Sequence, residues 1–364
     1  MKRNVVVAAC VLFSALPVAQ AQWELQNSNS TADLRGIHSV GNGVAWASGT
    51  NGTVLRTEDG GYVWQSCSMP PGAEHLDFRG IQAFDADTAI VMSSGKGDLS
   101  RLYKTTDGCH SWKLVATNPD ADGFWDAVKF EEKFGMVLGD PVDGKFEIWR
   151  SRDAGDSWIK EPAGTLIEGL MHQRPPSKND GVFAASNSAL FLDPDYTIFV
   201  TGGPSGSRLY VTQYLHLFHG GGQGGGTASL PLASSSESAG AFSIASCAWN
   251  CWVVVGGDYR KPDDASGTAA FSVSPGNRWH AAATPPHGYR SSVAYDAATE
   301  TWITVGPNGT DISSDDGRNW RPLHPNPALH EAPDADRNWN ALSLPFVVGP
   351  HGRIGKLNPK ASAP

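Results

Sequence analysis

Four aspartates stand in one repeated setting. Thr57-x-Asp59-Gly60-Gly61-x-x-Trp64, Ser151-x-Asp153-x-Gly155-x-x-Trp158 and Ser313-x-Asp315-x-Gly317-x-x-Trp320 share every key position. Thr105-x-Asp107-Gly108-Cys109-x-x-Trp112 exchanges the second glycine for Cys109, and Ser272-x-Ser274-x-Gly276-x-x-Trp279 exchanges the aspartate for Ser274. A carboxylate repeated in this way has two uses. It can hold a metal ion or a sugar, or it can accept the backbone N–H groups of its own tight turn while glycine takes the φ > 0 position. Identical turns on successive units favour the scaffold role. The tryptophan then opens the next strand and buries a large ring between layers.

Other chemistry-bearing patterns are weaker. Gly220-x-Gly222-x-x-Gly225 fits a dinucleotide fingerprint in letters only, because no strand–turn–helix setting surrounds it. The 11 histidines show no H-E-x-x-H spacing. Cys247 and Cys251 flank a short turn, within cross-hairpin reach. A C-x-x-x-C metal pair would need a second pair or nearby histidines, so a disulfide is the stronger reading. Cys67 and Cys109 are then expected to form a second disulfide, linking adjacent units near the repeated turns. No cofactor, metal or catalytic residue is expected.

The elements that position these residues repeat. Each unit reads as an apolar strand, a short turn, a second strand rich in Val and Ile, a loop, a third strand, the Asp turn, and a fourth strand from the Trp. Asn-Gly pairs at 51–52 and 308–309 sit where hairpin turns belong. In the unit that begins near "GVFAASNSALFL" the Asp turn is missing, and "LHLFHGGGQGGGTASLPL" reads as a flexible Gly-rich excursion. The seventh unit, "NWNALSLPFVVGPHGRIGKLN", supplies three strands and stops. "QWELQNS", with Trp23 one repeat before Trp64, supplies the fourth and closes the ring. The expected fold is all-β: a seven-bladed β-propeller of four-stranded antiparallel blades over residues 22–358, with a short tail at 359–364.

The turns resemble the Asp-box, the bacterial neuraminidase repeat of β-propellers. Together with "LRGIHSVGNGVAWASGTNGTVLRTEDGG" and "NWNALSLPFVVGPHGRIGKL", they make residues 23–358 similar to the photosystem II assembly and stability factor-like propellers. That resemblance implies a chaperone-like scaffold that binds a protein partner. Some bacterial relatives carry a generic oxidoreductase label, which here lacks a cofactor motif. The alternative is a sialidase-like glycoside hydrolase or carbohydrate-binding propeller. Its Phe-Arg-Ile-Pro start is replaced by "LRGI" and "FRGI", and no tyrosine–glutamate nucleophile pair can be assigned.

Propeller geometry puts the first residues of each innermost strand around the channel, on the face away from the Asp-boxes. The expected ring is Arg35, Arg79, Asp126, Ala184 or a neighbour, Ser243, Arg290 and Asn340. Three arginines near one axis suit a carboxylate or other anion through forked N–H donors. Equally, each could pair with Asp126 or a loop carboxylate and only tighten the channel mouth. The rim loops on that face carry Lys96, Asp98 and Arg101, then Asp140, Asp143 and Lys145, then His351 and Arg353. The longest, "GGDYRKPDDASG", presents Asp258, Tyr259, Arg260, Lys261, Asp263 and Asp264, and is a reasonable binding element.

The start "MKRNVVVAACVLFSALPVAQA" reads as a secretory signal cut after Ala21, so a periplasmic or extracellular protein is expected. The formal charge of −9 argues against general nucleic-acid or anionic-membrane binding. No other apolar run reaches the roughly 20 residues of a membrane span. The expected partner is a protein, or a small anionic or carbohydrate ligand, at the channel mouth of a monomer.

Overall fold

A computed structural model describes residues 23–161, 176, 179–194, 196–213, 224–248, 251–275, 278–327 and 331–358. The expected signal segment 1–21, the tail 359–364, and Gly220, Gly222 and Gly276 lie outside the described residues. The strands, numbered β1–β28 in chain order, form seven four-stranded antiparallel sheets. The innermost strands of blades one to seven are β2 (Leu34–Gly41), β6 (Phe78–Ala83), β10 (Trp125–Glu131), β14 (Leu190–Leu192), β18 (Ala239–Ala248), β22 (Ser292–Asp296) and β26 (Ala341–Ser343). Each touches its neighbours, and β26 touches β2, so the ring closes. Among the described residues, no helix is long and apolar enough to cross a membrane.

The N-terminal strand closes the last blade as expected. β1 (Trp23–Gln26) pairs antiparallel with β28 (Ile354–Leu357), from Trp23 opposite Leu357 to Gln26 opposite Ile354. Trp23 is fully buried between blades six and seven, with its ring 6.0 Å from Trp339 and its Nε1 donating to Thr310 Oγ1 at 3.0 Å.

The repeated Asp turns are each built from their own side chains. In blade three, Ser151 Oγ donates to Asp153 Oδ1 at 2.8 Å and accepts from the Gly155 N–H at 2.8 Å. Asp153 Oδ1 also accepts from the Ser157 N–H at 3.0 Å, and Oδ2 accepts from Ser157 Oγ at 2.6 Å. The hydrogen bonds from Ser157 and Ser151 hold the Asp153 carboxyl down at about 2. Asp107 is held at about 2 by Ser111 and Thr105. Asp59 and Asp315 make the corresponding bonds to Val63 and Asn319. The second glycine also has a packing role: a Cβ at Gly155 would run into Ile90 of blade two, and one at Gly317 would come 2.7 Å from Val253 of blade five. Cys109 takes this position at φ +64°, where a side chain is uncommon. It is disulfide-bonded to Cys67 of blade one, with Cα atoms 5.3 Å apart. Cys247 and Cys251 form the second disulfide, across the β18–β19 (Cys251–Asp258) hairpin.

Three expectations change. Part of the Gly-rich stretch is a strand: β17 (Gly224–Ser229) pairs along all of β16 (Arg208–Gln213) as the outer strand of blade four. A sheet ladder needs only backbone groups, and an outer edge tolerates weak side-chain packing. The ring positions also shift by one residue in two blades. Arg35, Arg79 and Asp126 each sit at a β-bulge, the residue skipped in the ladder of β2, β6 and β10. In β18 the skipped residue is Phe242, so Ser243 returns to the ladder and is buried. Leu34 N and Trp339 N donate to the glycine carbonyl of the preceding blade (Gly349 and Gly306), and Arg290 N donates likewise to Gly256. Arg290 is therefore the counterpart of Leu34 and Trp339, and Ser291 is the counterpart of Arg35.

Arg290 consequently lies in the core, fully buried, and pairs with Asp311, which is also buried. Its Nε donates to Asp311 Oδ2 at 2.8 Å, and its Nη1 donates to Tyr289 O at 2.7 Å and Asn308 Oδ1 at 2.6 Å. His287 Nδ1 lies 2.9 Å from Asp311 Oδ1. Burial alone would raise the Asp311 carboxyl, but the contact with His287 and the charge of Arg290 hold it below the usual carboxylate range.

Two stability predictions follow from this packing. Deleting Gln22–Ser28 removes a paired strand and a buried Trp, whose loss alone costs roughly 3–5 kcal/mol. Deleting Lys360–Pro364 should leave the melting temperature within a degree or two, and equal melts for the two truncations would rule out the shared blade. Arg290→Ala strands a buried carboxylate and should cost roughly 3–5 kcal/mol in urea unfolding. Because the folded Asp311 titrates below its unfolded value, its stabilisation is present above that value and lost as pH falls through the folded one. Arg290→Ala should therefore flatten the acid limb of the stability–pH curve.

Candidate functional site at the channel mouth

The bulges aim side chains inward. A β-bulge turns one extra residue out of the ladder and re-aims its side chain. Arg35, Arg79 and Asp126 meet in this way above the channel, in a cavity of ≈ 1160 Å³ that also takes in Asn340 and Tyr259. The structure thus brings five of the expected site residues together. Arg290 and Ser243 belong to the core, and Arg260 lies over the Tyr259 ring, 5.9 Å from its centroid.

The cavity has a floor. The innermost strand of blade four is only three residues long, and the segment before it runs into the channel. Asn187, at φ +62°, donates to Ile81 O at 3.2 Å and Val128 O at 2.9 Å, and accepts from Val128 N–H at 2.7 Å. On the other side Ser186 Oγ donates to Ser291 O at 2.7 Å, and Ser188 Oγ donates to Ser243 Oγ at 2.7 Å. Residues 183–188 therefore tie blades two and three to blades five and six and turn an open channel into a bowl. Ala184 lies in this plug, on no strand.

Arg35 and Arg79 share one carboxylate, supplied by Asp77 just before β6. Arg79 Nε donates to Asp77 Oδ2 at 2.8 Å, and Arg35 Nε lies 3.4 Å from Oδ1. The expected partner for such pairing was Asp126 or a loop carboxylate. Asp77, in the loop before β6, is such a loop carboxylate, and two guanidinium groups against it leave one positive charge unmatched. Both arginine side chains remain 31% exposed. Asn340 instead buttresses the ring, its Nδ2 donating to Leu34 O at 2.8 Å.

Beside the arginines, Asp126 is 1% exposed, and its Oδ2 has no hydrogen-bond partner among the described residues. Burial and then the neighbouring Asp140 push its carboxyl well above the usual range, against the pull of Arg79. Burial raises Asp140 to about 6, although it accepts from the Val182 N–H at 2.9 Å. Nearer the face of the repeated Asp turns, on β2, His38 accepts from the Ala83 N–H at 3.2 Å, and burial, then Lys129, drives it down to about 3. Among the described residues, no cluster of His, Cys, Asp and Glu fits a metal ion.

The rim is largely self-paired. Lys96 meets Asp122 at 3.1 Å, Arg101 meets Asp98 at 3.7 Å, and Arg353 meets Asp334 at 3.1 Å. In the long loop Asp258 accepts from the Arg260 N–H at 3.0 Å, and Asp263 accepts from Asn308 at 3.2 Å. Tyr259 is the loop's exposed aromatic side chain, at 45%. Phe183 and Phe242, the aromatic residues at the ring positions of blades four and five, were not anticipated. Phe242 is aimed there by the bulge of β18, a register that a sequence does not carry, and Phe183 by the plug, since it lies on no strand.

No protein-family model matches the chain, and no curated protein matches it in sequence. Solved structures do match in shape. YCF48 bound to D1 peptide aligns over 93% of this chain and 98% of its own, at 15% identity and a TM-score of 0.59. YCF48 from Cyanidioschyzon merolae aligns over 93% and 100%, at 16% identity and a TM-score of 0.60. The WD40 propeller domain of Doa1 follows at 11% identity and a TM-score of 0.54, over 95% and 100%. Identities this low speak for fold alone: the seven-bladed propeller of this chain is a fold it shares with YCF48.

Proposed function

We propose that the chain is an exported, non-catalytic binding propeller, similar in use to an assembly factor, that receives a protein partner in the floored bowl. The observation that carries this reading is the Arg35–Asp77–Arg79 arrangement. Two forked donors are held by one carboxylate yet keep a third of their surface open to a cavity large enough for a peptide segment. Partial neutralisation orients the guanidinium groups in advance, so little order is lost when an anionic group arrives. YCF48 has been solved with a D1 peptide, and this chain shares its fold. Two disulfides fit an oxidising compartment.

A glycoside hydrolase would need a proton-donating carboxyl within reach of a glycosidic oxygen and a second carboxylate across the bond. Asp126 is the candidate acid by its raised carboxyl, but at 1% exposure it has almost no surface to offer a sugar. The Asp-box carboxylates are committed to their own turns on the opposite face.

The test pairs the two faces. Partners are captured from the protein's own exported fraction with wild type, Arg35→Ala and Asp315→Ala, and each variant is melted. Arg35→Ala should release the captured partner by at least about tenfold and melt nearly as wild type, since an exposed ion pair contributes only ~0–1 kcal/mol. Asp315→Ala should melt earlier by about 1 kcal/mol of stability, through loss of its turn bonds, and bind as wild type. The reverse pattern would move the binding face to the Asp-boxes.

A further inference from the structure

The ring positions divide the bowl into sectors of different chemistry. Blades one to three place Arg35, Arg79 and Asp126 there, and blades four and five place Phe183 and Phe242. The two phenylalanine rings are stacked, 3.8 Å apart and 11° from parallel. Tyr289 meets Phe242 edge-on at 4.7 Å, and the exposed Tyr259 meets it edge-on at 6.3 Å. Four aromatic residues from four separate segments thus form one wall, and all four line the cavity.

The wall is rigid by construction. Phe183 rests on the backbone of Gly202 and Gly240, which bridge blades four and five; a Cβ on either glycine would come within 2.7 Å of its ring. The wall also adjoins the charged sector: Arg79 Nη1 donates at 3.2 Å to the carbonyl of Ala184, the residue after Phe183. An anionic group on Arg79 and an apolar group on the Phe183 side would therefore come from neighbouring parts of one ligand.

Resting on the reading of the bowl as a peptide site, we infer that its ligand is a peptide segment carrying an acidic group and an aromatic or large aliphatic side chain within about three residues of each other, at about 3.3 Å per extended residue. The acidic group lies against Arg35 and Arg79, and the apolar side chain lies against the aromatic wall. Phe183, half-buried, and the exposed Tyr259 keep open ring surface that can bury an apolar side chain, with Phe242 and Tyr289 packed behind them.

The experiment selects a displayed library of random twelve-residue peptides on the protein, then measures affinities of synthetic winners by calorimetry. Enriched peptides should combine an acid with a nearby apolar residue. Tyr259→Ala should weaken such a peptide by roughly three- to tenfold, and hardly at all once the peptide's apolar residue is replaced by Ala. Arg35→Gln should show the same coupling to the peptide's acid. Enriched peptides that couple to Arg35 but show no apolar preference and no coupling to Tyr259 would overturn the two-sector inference and leave the bowl as a peptide site. Winners indifferent to both variants, or no enrichment at all, would overturn both.

Discussion

The structure depends on closing a ring of sheets so that the first and last blades are held together. A strand edge exposes unpaired N–H and C=O groups, and a circular array removes the gap between its ends only if first and last blades meet. Here β1 joins a blade whose other three strands come from the opposite end of the chain. Three closing Trp residues pack towards the blade before them: Trp23 against blade six, Trp64 against Phe346 of blade seven at 5.5 Å, Trp112 against Trp46 of blade one at 6.5 Å. The box glycines allow the same close approach, as Gly155 does on Ile90. Turn chemistry and interblade packing are thus one device, used repeatedly.

That device was legible because it is local. A Ser or Thr, an Asp, a Gly and a Trp at fixed offsets specify the turn, the positive φ and the buried ring within eight residues. Trp spacing assigned Trp23 to the last blade, whereas the fourth unit, without its Asp turn, is read from its strands. The channel was less legible because it depends on register. The bulge of β18 falls one residue before the position expected from β2, β6 and β10, and that step puts Phe242 rather than Ser243 in the bowl. In blade six the shift runs the other way and involves no bulge: Arg290 precedes β22 and lies in the core, one residue before the ring position. Both arginines follow an aromatic or aliphatic residue in similar strings, "LRGI" and "YRSSV". Only the hydrogen bond from Arg290 N to Gly256 shows which position it fills.

The two kinds of arginine show how burial decides role. Arg290 has its donors spread over Asp311, Tyr289 and Asn308 and no surface left. Such a group holds blade six in place, and removing it exposes a cost rather than a function. Arg35 and Arg79 compete for one carboxylate and stay partly wet. The plug adds what an open channel lacks. By tying Asn187 to blades two and three, and Ser186 and Ser188 to blades six and five, it gives the bowl a base of paired backbone. It also carries Phe183 to the aromatic wall. A site on such a base can bind without large rearrangement.

The central claim is that binding belongs to the bowl and scaffolding to the face that carries the repeated Asp turns. Hydrogen–deuterium exchange of the protein, with and without a saturating library-selected peptide, separates the faces directly. The account predicts slowed exchange in residues 122–126, 179–188 and 257–261, with no change in the box turns at 57–63, 105–111, 151–157 and 313–319. Protection concentrated in the box turns, with the bowl segments unchanged, would contradict it.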